Sequence, residues 1–224
     1  MSPGLGASRA RRVRRWVLLC AAAEAIGMSA SAAAARAGTA LNDGAGTGVA
    51  AAWAVIVLGG LVEGSAVGLA QGAALRPQVP SLDHRRWFAV TVAVAGLGWA
   101  AASGPSVLAG DDGGAEPSPI LVLGGAAGLG LAMGALLGAA QAWVLRGAVR
   151  RPWRWVAISA AAWTPTMVVI FAAASWVPAS WSAGAVVLLG AATGLVAGAV
   201  LGAVCGLLSP ALTRSRLETG AGAR

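Results

Sequence analysis

Apolar residues run along this chain in six long blocks separated by short polar or charged breaks. A helix needs about 20 mainly apolar residues to cross about 30 Å of hydrocarbon. Stretches near 16–35, 48–75, 87–109, 119–145, 155–177 and 183–208 meet that length. The segments between them, 36–47, 76–86, 110–118, 146–154 and 178–182, hold turn-forming or charged residues and leave no room for a soluble domain. The pattern predicts an all-α polytopic membrane protein: a basic tail over 1–15, a six-helix transmembrane domain over 16–208 and a second tail over 209–224.

Charge then supplies an orientation. All 16 basic residues are arginine, and 15 of them fall in the amino-terminal tail, the second and fourth loops and the carboxy-terminal tail. The opposite loops carry Arg36 with Asp43, Asp111, Asp112 and Glu116. The positive-inside rule therefore predicts six spans with both termini cytoplasmic, in a bacterial plasma membrane. A cleaved signal is the competing reading of the first span, since a basic region precedes an apolar stretch and small residues near Ser29 to Ala35. Glu24 in the middle of that stretch argues against it.

An internal repeat changes the picture further. Residues 60–76 (GLVEGSAVGLAQGAALR) and 130–146 (GLAMGALLGAAQAWVLR) agree at eight of 17 positions without a gap, and 194–206 (GLVAGAVLGAVCG) repeats the core. The preceding spans each open with Arg and Trp, at 15–16, 86–87 and 154–155. Three tandem helical hairpins of equal orientation are expected, as parallel repeats about an axis along the membrane normal. The unit Gly-x3-Gly-x2-Gln-x3-Leu-Arg, followed by a basic loop and Trp, resembles a pattern in uncharacterised small multipass membrane proteins of bacteria. The resemblance covers 64–87 and 134–155 and is weaker in the third hairpin, where Cys205 replaces Gln and Pro210 replaces Arg. It implies a fold and brings no activity.

Within the repeat, Gly60, Gly64 and Gly68, Gly130, Gly134 and Gly138, and Gly194, Gly198 and Gly202 lie four residues apart. Such rows drift slowly around one helix face and let backbones approach closely, which matters where lipid gives helices no hydrophobic reason to associate. A helical wheel places Gln71 and Gln141 in the same packed seam as interhelical polar contacts; the sharper alternative is a polar ring lining a cytoplasmic vestibule. Trp16, Trp87, Trp143, Trp153 and Trp155 are expected to form one aromatic belt at the membrane boundary, with Trp53, Trp176 and Trp181 at the other. Trp99 and Trp163 lie deeper.

Glu24 and Glu63 are the side chains that packing explains least. Both fall well inside spans of the first hairpin, and no Arg, Lys or His lies in any span to neutralise them. A charge at that depth costs a few kcal/mol even on lenient scales, about 2.5–3.5 for Asp. Each carboxyl is therefore expected to be protonated, hydrogen-bonded, or facing water or a bound cation, which makes the pair a candidate proton or cation relay. The other hairpins offer Ala95 and Trp163 in place of Glu24, and Met133 and Ala197 in place of Glu63.

Composition closes off other classes. Of 224 residues, 56 are Ala and 33 Gly, hydrophobic residues make up 58% and charged residues 11%, and there are two cysteines. With a mean hydropathy of +0.75, a soluble globule, a disordered chain and a disulfide scaffold are excluded. His84 is the one histidine and lies in a basic loop, so no metal cluster, Ser-His pair or cofactor motif is expected. The leading expectation is a non-enzymatic accessory or assembly module whose partners are the bilayer and other membrane proteins or further copies of itself, with no nucleic acid and no cofactor. The alternative is a small proton- or cation-coupled transporter or channel using Glu24 and Glu63.

Overall fold

The computed structural model describes residues 3–43, 48–109, 117–178 and 180–213. They form six helices, α1 (Pro3–Asp43), α2 (Gly48–Leu75), α3 (His84–Ala109), α4 (Pro119–Leu145), α5 (Arg154–Ala174) and α6 (Ala183–Leu208), then a 3-10 turn at Ser209–Leu212. All six helices are long and apolar enough to cross a membrane. Asp111, Asp112, Glu116, Arg214, Arg216 and Arg224 lie outside the described residues.

Local chemistry sets several helix starts. Asp83 Oδ1 accepts from the Arg86 N–H at 3.0 Å, Ser118 Oγ from Leu121 at 3.4 Å and Ser182 Oγ from Ala185 at 3.2 Å. Each satisfies one amide that a first helical turn would leave unbonded. Pro119 follows its cap at a position where its missing N–H costs nothing.

The first helix differs from the expected 16–35. It has 41 residues, including the basic segment before Trp16 and most of the expected break after Ala35. Alanine and arginine are good helix formers, so a polar break in hydropathy is not a break in the backbone. At 1.5 Å per residue the helix is about 60 Å long, twice the hydrocarbon thickness. At the other extreme, α5 stops at Ala174, three residues short of the expected end.

The molecule is apolar outside and partly polar within. Leu97, Ile120, Leu188 and Trp176 are exposed, while Glu24, Glu63, Gln71, Thr91, Gln141, Ser159 and Thr166 are buried. In water this would leave a large exposed apolar surface; in lipid it is the favourable arrangement.

Each helix packs on its sequence neighbours, and α6 returns to α1, so the six close into a ring. The glycine rows make three of its seams: α2 on α3, α4 on α5, and α6 on α1. These seams share a register. Gly64 meets Thr91 and Val92, Gly134 meets Ser159 and Ala160, and Gly198 meets Cys20 and Ala21, in each case the residues four and five beyond Trp87, Trp155 and Trp16. One turn closer to those tryptophans, Gly68 meets Phe88, Gly138 meets Val156 and Gly202 meets Val17. A Cβ added at Gly134 would lie 2.9 Å from Ala160 Cα, at Gly138 2.8 Å from Val156 Cα and at Gly202 2.7 Å from Val17 Cα. Only a residue without a side chain permits that approach. By contrast α3 and α4 are the most loosely packed neighbours in the ring.

Candidate functional site

At the arginine-rich end the ring is plugged. Trp16, Trp87 and Trp155 are fully buried, with Trp155 6.0 Å from Trp16 and 5.6 Å from Trp87 between ring centroids. This corrects the expected aromatic belt: of the five tryptophans assigned to that boundary, these three turn inward to the ring axis. Trp143 and Trp153 stay exposed, flanking the Arg146 guanidinium at 5.9 and 5.3 Å.

Immediately above the tryptophans lies a polar network. Gln141 Nε2 donates to Gln71 Oε1 and to Thr91 Oγ1, both at 2.9 Å, while Gln141 Oε1 accepts from Trp155 Nε1 at 2.7 Å. Thr91 Oγ1 in turn donates to the Trp87 carbonyl at 2.8 Å. Because α2 and α4 are separated by α3 in the ring, the Gln71–Gln141 bond joins two helices that do not share a seam. The wheel placed both amides in the glycine seam; the structure brings them to the centre. Trp16 Nε1 and Trp87 Nε1 are buried without partners. The amide position that serves Trp155 is Cys205 in the hairpin facing Trp16, and a thiol is a weak acceptor.

Arginines close the same end from outside. Arg15 donates to the Ala73 carbonyl at 2.8 Å, Arg12 to Gly206 at 3.1 Å and Arg154 to Ala211 at 3.2 Å. These carbonyls belong to the final turns of α2 and α6 or just beyond, where backbone acceptors lack helical donors and positive charge is favoured.

Further along the axis the interior opens into a cavity of about 170 Å³. Its walls come from α1 to α5, and they include Glu63, Trp99, Met133, Trp163 and Phe171. The lining on α3 runs from Val94 to Ala102, about 12 Å of helix rise. Among the described residues that line it, Glu63 is the one with a carboxyl side chain. Two glycines make room for this arrangement. A Cβ at Gly27 would lie 2.6 Å from Glu63 Cγ, and one at Gly60 would enter the Trp99 ring. Ser31 Oγ donates to Glu63 Oε2 at 2.9 Å, tying α1 to α2.

Glu24 is the second carboxyl, fully buried, and neither of its oxygens has a hydrogen-bond partner. It lies one turn along α1 from Gly27, the glycine against which Glu63 packs. It stands eight residues beyond Trp16, as Ala95 stands beyond Trp87 and Trp163 beyond Trp155, and both of those residues line the cavity. Cys20, one turn earlier, and Cys205 are both buried in the same apolar core cluster.

The structure thus packs Glu63 on α1 one turn from Glu24, joins Gln71 with Gln141, and lays all nine named packing glycines against a neighbouring helix. Sequence reasoning missed Ser31 and Gly27 as parts of the Glu63 environment and Thr91 as a member of the glutamine network. Among the described residues no group of three or more His, Cys, Asp or Glu is placed to hold a metal ion. Comparison with known proteins finds no matching family model, no matching curated protein and no matching solved structure.

Proposed function

We propose that this is a bacterial plasma-membrane protein of three tandem hairpins with both termini cytoplasmic, and that Glu24 and Glu63 form the proton- or cation-binding site of a small transporter or channel. One observation carries the reading: a fully buried carboxyl, Glu24, has no hydrogen-bond partner and sits one helical turn from Gly27, where a second carboxyl, Glu63, packs on α1 and lines a half-open cavity. Two buried carboxyls in such a setting need protons or a cation to offset their charge. The equal register of the three glycine seams supports the tandem arrangement, and the tryptophan and glutamine plug is suited to act as the closed cytoplasmic gate.

The non-enzymatic accessory module is the second reading, favoured by the close packing of the three tryptophans and by the hydrogen bonds that Gln141 makes to Gln71, Thr91 and Trp155. Flux into proteoliposomes separates the two. A transporter or channel moves protons or a cation down an imposed gradient and loses that flux in Glu63→Gln and Glu24→Gln. No flux under any gradient leaves the accessory module.

A further inference from the structure

The cavity wall discriminates among cations. An inorganic ion exchanges its hydration shell for several oxygens, and here the wall is almost wholly side-chain carbon, indole and thioether, with the Glu63 carboxyl as its acidic group. A cation whose own surface is apolar has no such requirement. Trp99, Trp163 and Phe171 supply π-systems that attract cations, and Met28, Met133 and Met167 supply polarisable thioethers. Cavity size sets the scale: a space of about 150 Å³ holds benzene, so about 170 Å³ admits a compact head of similar bulk.

We infer that the cavity is a binding site for a small alkylated or quaternary ammonium ion, with its charge against Glu63 and its methyl groups against the Trp99, Trp163 and methionine walls. The inference rests on the reading of Glu24 and Glu63 as a cation site and names the ligand class. Gly60 and Gly27 are part of the device, since one lets Trp99 and the other lets Glu63 take its place. Loose packing between α3 and α4 puts the weakest part of the ring beside the cavity residues Gly98 and Met133.

The test is titration of the purified full-length protein in detergent with tetramethylammonium, its neutral analogue neopentyl alcohol, and sodium, read by calorimetry and tryptophan fluorescence. Saturable binding of tetramethylammonium, absent for the alcohol and sodium, is expected, and it weakens about tenfold or more in Glu63→Gln and in Trp99→Leu. Ala102→Phe places a bulky ring at the exposed rim of the cavity while leaving both carboxyls intact, and it is expected to weaken binding at unchanged thermal stability. Equal binding of the alcohol, unchanged binding in folded Glu63→Gln or Trp99→Leu, or no binding at all would overturn the inference. Proton flux lost in Glu63→Gln without ammonium binding would sink this ligand and leave the proposed function standing. Ammonium binding with no flux under any gradient would do the reverse.

Discussion

Trp155 donates its indole N–H to Gln141 at 2.7 Å in the buried centre of a six-helix ring. That bond, with those from Gln141 to Gln71 and Thr91, makes one amide the junction of α2, α3, α4 and α5. Hydrogen bonds between membrane helices average about 0.6 kcal/mol, with maxima near 1.7, and leaving buried partners unsatisfied adds to the cost. Gln141→Leu strands the Trp155 donor and is expected to destabilise the protein by about 1–3 kcal/mol, measured by denaturant titration in mixed micelles. Trp16, whose indole has no partner, should tolerate replacement of the neighbouring Cys205 by Ala with a smaller change.

Glycine seams differ sharply from glycine surfaces on the same helix. Gly134 and Gly138 lie against the α5 backbone, whereas a Cβ at Gly124, Gly125 or Gly128 would meet nothing within 4 Å. Gly138→Val is therefore expected to force α4 from α5 at about 1–3 kcal/mol, the usual cost of overpacking. Gly128→Val should lie within about 0.5 kcal/mol of the parent protein. Thermal unfolding of the two variants reads the difference.

Topology has its own test. With Cys20→Ala and Cys205→Ala as background, a cysteine at Ser8 or Thr213 is expected to react with an impermeant maleimide only when the cytoplasmic face is exposed. A cysteine at Ser180 should react from outside intact cells. Labelling of Ser8→Cys or Thr213→Cys from outside would reverse the orientation that the arginines imply.

The helices and glycine rows were legible in the sequence because both are periodic and local. What escaped it is what the ring brings together. Trp16, Trp87 and Trp155 each sit beside an arginine at the start of an apolar span, a placement that suits an interfacial anchor as well as an axial plug; hydropathy cannot separate the two. Their recurrence at one position of each repeat was the available signal. A helical wheel describes one helix and so assigns Gln71 to a seam, while its partner Gln141 lies on α4, a helix that α2 does not touch along a seam. Glu24 and Glu63 stood out by cost alone, yet Ser31, Gly27 and the cavity walls become visible only after α1, α2 and α3 are packed. The long α1 was missed because hydropathy marks where a helix leaves lipid, not where its backbone ends.

A carboxyl that opens on an apolar cavity is distinguishable by chemistry from one enclosed by packing. Lipophilic carbodiimides add to carboxylic acids in apolar settings and leave a stable N-acylurea that mass spectrometry locates by residue. Labelling of the protein in membranes with dicyclohexylcarbodiimide is expected to modify Glu63, to spare the enclosed Glu24, and to slow when tetramethylammonium fills the cavity. Modification of Glu24 alone, or of neither glutamate, would contradict the central claim that Glu63 is the cavity-facing member of an intramembrane carboxyl pair.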